Sequence, residues 1–468
     1  MPSDDVDARR APGARLPGGS PDGGVLGPRF RWVSIGMCAL IMLAAFENLA
    51  VTTIMPTISR ELDGAGLYAF AFAGPLAVSV VGMVVAGSWS DRGNPRTALY
   101  GSVALFAAGL LIAGLAPTMP LFVGGRLVHG LGGGALTVAL YVIVARVYPP
   151  VLHPRIFAGF AAAWVIPSLI GPFVAGLVAD HVGWRWVFLG VLALIVPAMG
   201  MVVPAMRGMR GPAQGEERPP RDLPRIGWAV LLAVAVLVLT LTAEATGVLQ
   251  WAGPVVAGVV ALLALRPLLP AGTLLARRGL PSVILMRGLV AGAFFAAEVY
   301  VPRLMVTQYE VSAPEAGLAL TAAGLTWAVA SWLQGRFPGL SHRTTATLGA
   351  AGLTIAMGSL ISTVLFGLPP AVIVAGWAVS GAGMGVLFPR LGVLTLEDST
   401  PADQGFNSAA LSITDAIGSS IALAATAIVF SALGPLGGGW PFVGAFAVTS
   451  VFVVGVWLNG PRMLRQRA

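Results

Sequence analysis

Gly125-Arg-Leu-Val-His-Gly-Leu-Gly-Gly-Gly134 and Gly376-Trp-Ala-Val-Ser-Gly-Ala-Gly-Met-Gly385 follow one pattern, and 376 − 125 places them 251 residues apart. Matching glycines alone say little, because the chain holds 61 of them. The same shift of 251 also carries Glu47 onto Glu298, and an acid inside an apolar stretch is a rare feature. Arg96 and Arg343 open corresponding segments 247 apart, which a loop four residues shorter accommodates. Such a chain reads as two related halves, with a binding site held between them near the middle.

Working outward, both halves are made for lipid. Hydrophobic residues make up 56% and charged residues 10%, with a mean hydropathy of +0.84. A soluble domain carries about 25% charged residues. Positions 97–125, 186–206, 344–389 and 416–461 contain no Asp, Glu, Lys or Arg. One helical span takes about 20 apolar residues, so the last two runs each fold back once. The expected fold is all-α and integral to the membrane, with spans near 31–58, 66–90, 97–117, 120–147, 155–180 and 185–206. A hairpin over 226–265 comes next, interrupted only by Glu244, and then spans near 281–308, 314–336, 344–367, 371–396, 405–433 and 440–460. The total is fourteen transmembrane helices, or twelve if the hairpin only lies on the surface. The corresponding division is a disordered cytoplasmic tail at 1–30, a six-helix half at 31–206, a linker with two extra helices at 207–280, a second half at 281–460 and a short tail at 461–468.

Arginine placement gives the orientation. With the N-terminus inside, Arg residues 9, 10, 15, 29, 31, 92, 96, 146, 155, 207, 210, 218, 221, 225, 266, 277, 278, 336, 343, 462, 465 and 467 fall at the cytoplasmic face. Only Arg60, Arg185 and Arg303 fall near the outside, a strong positive-inside bias that predicts both termini in the cytoplasm of a cell-membrane protein. The same loops account for the net charge of +8, so no nucleic-acid partner is implied. The first apolar run is too long for a secretory h-region. A single cysteine, Cys38, excludes an internal disulfide, and the four histidines lack ligand spacing. No G-x-x-x-x-G-K-[ST] loop signals ATP-driven transport, and no catalytic constellation signals an intramembrane enzyme.

Three motifs resemble those of the major facilitator superfamily, and within it the fourteen-span drug:proton antiporters. Gly87-Ser-Trp-Ser-Asp91-Arg92-Gly93-Asn94-Pro95-Arg96 resembles the loop G-x-x-x-D-R-x-G-R-R and departs from it at Asn94 and Pro95. Arg126-Leu-Val-His-Gly130-Leu-Gly132 resembles R-x-x-Q-G-x-G, with His129 for Gln. Pro167-Ser-Leu-Ile-Gly171-Pro172-Phe-Val-Ala-Gly176 is similar to the antiporter motif ending G-P-x-x-G-G, with Ala175 for Gly. Gly183-Trp-Arg-Trp-Val-Phe188 is similar to the G-W-R-W-x-F of the fourteen-span group, and Glu47 and Pro56 keep its first-span acid-to-proline spacing. The resemblance implies a major facilitator fold and proton-coupled export driven by the gradient alone, without cofactor or metal. It also implies that Arg126 communicates with the proton site.

The residues themselves support roles of that kind. A charge at the bilayer centre costs at least about 2.5–3.5 kcal/mol, so intramembrane acids are functional by default. Glu47, Glu298 and Asp415 are the candidate proton-coupling acids, with Arg126 as partner of Glu47; a static buried ion pair is the competing reading. Asp91, with Gly87, Arg92 and Arg96, reads as a conformational latch, although a plain basic loop would account for the two arginines. Gly130 reads as helix packing, and Gly171, Pro172 and Gly176 as either packing or a kink. Trp164, Trp327 and Trp377 are candidate cavity residues, against the aromatic belt that explains most membrane tryptophans. The expected protein is a monomeric, proton-coupled secondary transporter that exports hydrophobic small molecules or drugs through the bilayer. Export or flipping of a lipid or endogenous metabolite, and a non-transporting receptor or scaffold, are the alternatives.

Overall fold

The computed structural model describes residues 24–64, 67–207, 223–242, 248–311, 313–337 and 339–463. The remaining linker and tail positions, with Glu244, lie outside the described residues. Fourteen α-helices are described: α1 (Arg31–Glu61), α2 (Tyr68–Arg92), α3 (Pro95–Gly114), α4 (Met119–Val147), α5 (His153–His181), α6 (Arg185–Met206), α7 (Leu223–Thr242), α8 (Val248–Leu265), α9 (Leu280–Tyr309), α10 (Ala313–Arg336), α11 (His342–Phe366), α12 (Pro370–Glu397), α13 (Gln404–Leu433) and α14 (Trp440–Asn459). Eleven of them are long and apolar enough to cross a bilayer, and α5, bent by 49°, makes a twelfth. The apolar parts of α7 and α8, Leu223–Val238 and Ala252–Leu268, are shorter. Among the described residues the count is therefore eleven or twelve, and the two hairpin helices, whose facing ends lie outside the described residues, are the difference from the expected fourteen. Large apolar side chains such as Phe173, Val196, Val451 and Leu458 stand exposed around the bundle, a surface suited to lipid rather than water.

The repeat is a repeat of contacts. In α4, a Cβ on Gly130 or Gly134 would strike the carbonyls of Pro75 and Ser79 on α2, while one on Gly125 or Gly132 would strike the backbone of Ala113 or Phe106 in or beside α3. In α12, Gly381 and Gly385 meet Ala323 and Trp327 of α10, and Gly376 and Gly383 meet Ser359 and Gly352 of α11. Each glycine and its partner 251 residues on thus does the same work, bringing a central helix against its two neighbours. Gly134→Leu is expected to lower thermal stability in detergent by about 1–3 kcal/mol through overpacking. Gly124→Leu, at a glycine with open space, is the control expected to unfold like the wild type.

Between the halves, α2 packs on α13 and α5 on α10, while the α7–α8 hairpin lies chiefly against α2. The described chain ends share one face of the bundle, where Gly279 at the start of α9 donates its N–H to the Arg462 carbonyl (3.0 Å). Residues 24–30 belong to the packed body, not to a disordered tail. Phe30 is buried and stacks on Tyr148 (5.1 Å), and Ser34 donates to the Val25 carbonyl (2.7 Å). Composition hides this, because one aromatic ring anchors the turn.

The bend in α5 separates Pro150–Ser168 from Phe173–His181, so it falls at Gly171-Pro172. Proline has no N–H to give the carbonyl four residues back, which explains the break. Gly171 and Gly176 meet only ordinary contacts with Phe46 and Thr53, so this motif works as a kink rather than as close packing. The side chain of Pro172 lies outside the described residues.

Candidate functional site

The structure brings Glu47 of α1 and Arg126 of α4 together. Arg126 Nη1 donates to Glu47 Oε1, Arg126 Nε lies 3.5 Å from the Ala71 carbonyl, and Nη1 lies 3.5 Å from His129 Nδ1. His129 Nε2 stands 3.0 Å from Glu47 Oε2 but is not aligned as a hydrogen bond, so that carboxylate oxygen has no partner of good geometry among the described residues. Glu47 is 0% exposed and Arg126 and His129 3% each, with the imidazole resting on Phe106 (4.5 Å). Taking two charges out of water costs several kcal/mol per ion, and their attraction repays it only with good geometry. The pair is therefore poised, and a proton on Glu47 would cancel the attraction that holds it.

Glu298, the acid at the repeated position, stands differently. It is half-buried on α9, and among the described residues it forms no hydrogen bond or ion pair. Trp377 replaces the arginine here; it is 0% exposed and stacks on Phe294 (4.7 Å), behind the wall rather than at an opening. Trp327 is half-buried against Phe294 (5.3 Å) and Phe388 (5.2 Å), with Phe295 at 6.3 Å. Trp164 is exposed on α5.

Asp415 of α13 is paired with a residue the sequence reading passed over. Arg287 Nη2 of α9 lies 3.2 Å from Asp415 Oδ2, and Arg287 Nη1 donates to the Phe388 carbonyl (3.1 Å). The arginine tally had the signal. Of 28 arginines, the positive-inside reading assigned 22 to the inner face and three to the outer, and 28 − 22 − 3 leaves Arg126, Arg287 and Arg390. Arg390, also buried, sits 3.0 Å from His342 Nδ1.

At the face holding the chain ends, the loop motif joins the halves. Asp91 accepts N–H bonds from Gly405 (2.6 Å) and Phe406 (2.8 Å), capping the open amides at the start of α13. Gly87 lets α2 reach that turn, since a Cβ there would stand 2.6 Å from the Gly405 carbonyl. Arg146 adds a bond to the Pro401 carbonyl (2.7 Å). Among the described residues, the hydrogen bonds between the halves all lie at this face. Arg92 folds back onto Ser88 and does not reach across. Arg96 sits in the first turn of α3, where Asn94 accepts its N–H (3.0 Å) and Pro95 occupies the first helical position. The departure from the basic loop pattern is therefore a helix start.

The Trp-Arg motif clamps the end of α1. Gly183 turns with φ +103°, and Trp184 Nε1 and Arg185 Nη1 donate to Glu61 (2.5 and 2.8 Å). Those two bonds hold the Glu61 carboxyl below its ordinary range. The clamp is thus present at neutral pH and lost as pH falls through that lowered titration; being exposed, it adds little stability. Among the described residues no three His, Cys, Asp or Glu side chains converge as a metal site.

A sequence profile described as Major Facilitator Superfamily matches residues 37–423. The chain is 27% identical over 408 residues to a probable multidrug-efflux transporter of Mycobacterium tuberculosis, covering 83% of this chain and 85% of that one. It is 24% identical over 398 residues to multidrug resistance protein 3 of Bacillus subtilis, covering 80% and 74%. Its fold is similar to that of the human organic anion transporter MFSD10, with TM-score 0.66 at 14% identity over 93% of this chain and 99% of that one. It is also similar to the E. coli fucose:proton symporter, with TM-score 0.63 at 14% identity over 92% and 98%.

Proposed function

The chain belongs to the major facilitator superfamily, and from that premise we propose that it exports hydrophobic small molecules in exchange for protons by alternating access. It is a multi-pass secondary transporter, not an enzyme, and an ion gradient takes the place of a cofactor. The observation that carries the coupling is Glu47, buried in the first half and held by Arg126 beside His129. The names of the two bacterial relatives support drug efflux. The arginine bias supports a cytoplasmic location for the face with the chain ends. On that reading the Asp91 contacts close the inner side, and Glu47 awaits a proton from outside. Its protonation releases Arg126 and favours the inward-facing state, in which the proton leaves and substrate enters.

Purified protein in liposomes tests this. A hydrophobic fluorescent dye should accumulate against its own gradient when a pH gradient is imposed, and accumulation should collapse when an ionophore removes that gradient. Uphill accumulation that ignores the ionophore would reject proton coupling.

The hairpin has its own test. Its apolar arms are close to the about 20 residues that a span needs, and we propose that they cross and return. Thr246, outside the described residues, should react as cysteine on a Cys38→Ser background with an impermeant thiol reagent added outside. Labelling only from the cytoplasm would leave twelve spans and a surface hairpin.

A further inference from the structure

We propose that Arg287 is a positioning residue of a second charge switch, holding Asp415 in one state and resting on Phe388 alone in the other. The first half has no such pair at the corresponding positions. Shifting back by 251 puts Gly36 at the place of Arg287 (287 − 251) and Trp164 at that of Asp415 (415 − 251). The pair is an addition to the second half, whose own repeat acid, Glu298, has no arginine.

Three observations carry the proposal. First, Arg287 has two holders. Its guanidinium lies 3.2 Å above the centre of the Phe388 ring and bonds the Phe388 carbonyl (3.1 Å) while it reaches Asp415 (3.2 Å). A buried cation that loses its only acceptor is strongly destabilised. Arg287 loses one of two, and the aromatic face and the carbonyl still hold its charge, although its Nε has no hydrogen-bond partner among the described residues. Second, Asp415 is held on one side only. Oδ2 meets Arg287, Oδ1 is buried without a hydrogen-bond partner among the described residues, and the side chain is 27% exposed. A buried acceptor left open in this way calls for an explanation, and a proton arriving on Oδ1 supplies one, because it removes the charge that Arg287 holds. Third, the helix concerned is the latch helix. Asp415 follows Gly405 by ten residues, about 15 Å along α13 from the amides that Asp91 caps.

Other charges packed against α13 sit elsewhere. Asp91 of α2, Arg146 of α4 and Arg225 of α7 meet its first turn or the loop before it, and Arg303 of α9 lies on the Phe430 ring fifteen residues beyond Asp415. Glu298 of α9 forms no ion pair among the described residues, Arg390 of α12 pairs with His342, and Arg287 is the charge that Asp415 itself meets among the described residues. Close backbone contact of Gly288 with Gly418, and the Thr414 hydroxyl donated to the Ile284 carbonyl (3.0 Å), hold α9 and α13 together beside the pair. Releasing Asp415 therefore lets α13 turn against α9 without separating the helices. Loading a proton in the second half is in this way tied to the contact between the halves.

The test rests on conformation and uses no substrate, so it stands apart from drug export. Spin labels at Thr118→Cys and Leu436→Cys, both exposed at the face opposite the chain ends, report opening of the full chain in lipid on a Cys38→Ser background. The Glu47→Gln protein is expected to keep a pH-dependent distance change, and in Glu47→Gln/Asp415→Asn that change should shrink to what Asp91 at the latch contributes. Arg287→Gln should shift the midpoint of that change. Arg287→Lys should recover stability without restoring the midpoint, because an ammonium cannot lie flat on the ring and hold both acceptors. A Glu47→Gln protein already insensitive to pH would overturn the proposal. So would an Arg287→Gln protein that melts lower yet titrates as the wild type does, since that is the behaviour of a mere brace.

Discussion

Glu47→Gln vesicles are expected to bind substrate and fail to concentrate it against a pH gradient. The amide cannot carry a transported proton, and it leaves Arg126 permanently in the released arrangement. Loss should be complete within detection, whereas Glu298→Gln should be milder, because Glu298 holds no arginine in place. Stranding Arg126 also costs stability, about 3–5 kcal/mol when one member of a buried pair is removed. Arg126→Ala and the double change with Glu47→Gln separate the two effects. Measured as unfolding free energy, residues acting as one unit give a double variant scarcely less stable than Glu47→Gln alone, and the pH profile of Arg126→Ala export should differ from the wild type. Independent residues add within about 0.3–0.5 kcal/mol. Additive losses together with an unchanged Arg126→Ala pH profile would show that the pair does not couple.

The pair was within reach of the sequence because two rules met on it. An intramembrane acid is expensive, and an arginine that stays charged in a membrane needs an acceptor; one half offered one of each. The helices were legible for a similar reason, since apolar runs bounded by Arg31, Arg92, Arg146 and Arg336 end close to where the helices do. Other features depend on partners that no local pattern reveals. The backbone amides of Gly405 and Phe406 that receive Asp91 lie more than three hundred residues away. Trp377 could not be told from a cavity residue until Phe294 was seen stacked on it. Arg287 was overlooked although the count left it unassigned, because it sits only seven residues into α9, where an arginine passes for a cytoplasmic flank. His129 looked like a plain substitution for Gln, and only its approach to Glu47 shows a third titratable group in the cluster.

Asp91→Ala is expected to open the face that carries the chain ends. Its carboxylate accepts two N–H bonds at the first turn of α13, where the amides have no helical partner and the helix dipole favours a negative charge. Hydrogen bonds to a charged group contribute about 1.5–3 kcal/mol each. One such contribution equals roughly a tenfold to hundredfold change in a two-state equilibrium. The shift is read on opening because the bonds join the two halves, and the lost cap at the start of α13 lowers stability as well. Spin labels at Val151→Cys and Thr400→Cys, exposed at that face on opposite halves, should therefore show the longer separation in most molecules, and export should fall because the closed inner side is no longer held. Asp91→Asn keeps one neutral acceptor and should lie between the two. Gly405→Ala supplies the independent arm, since its Cβ would press on the Gly87 carbonyl and the Asp91 carboxylate from the other side; it should open the same face with Asp91 intact. A wild-type distance distribution in Asp91→Ala would mean that the Arg146 bond and the α5–α10 contact close this side unaided.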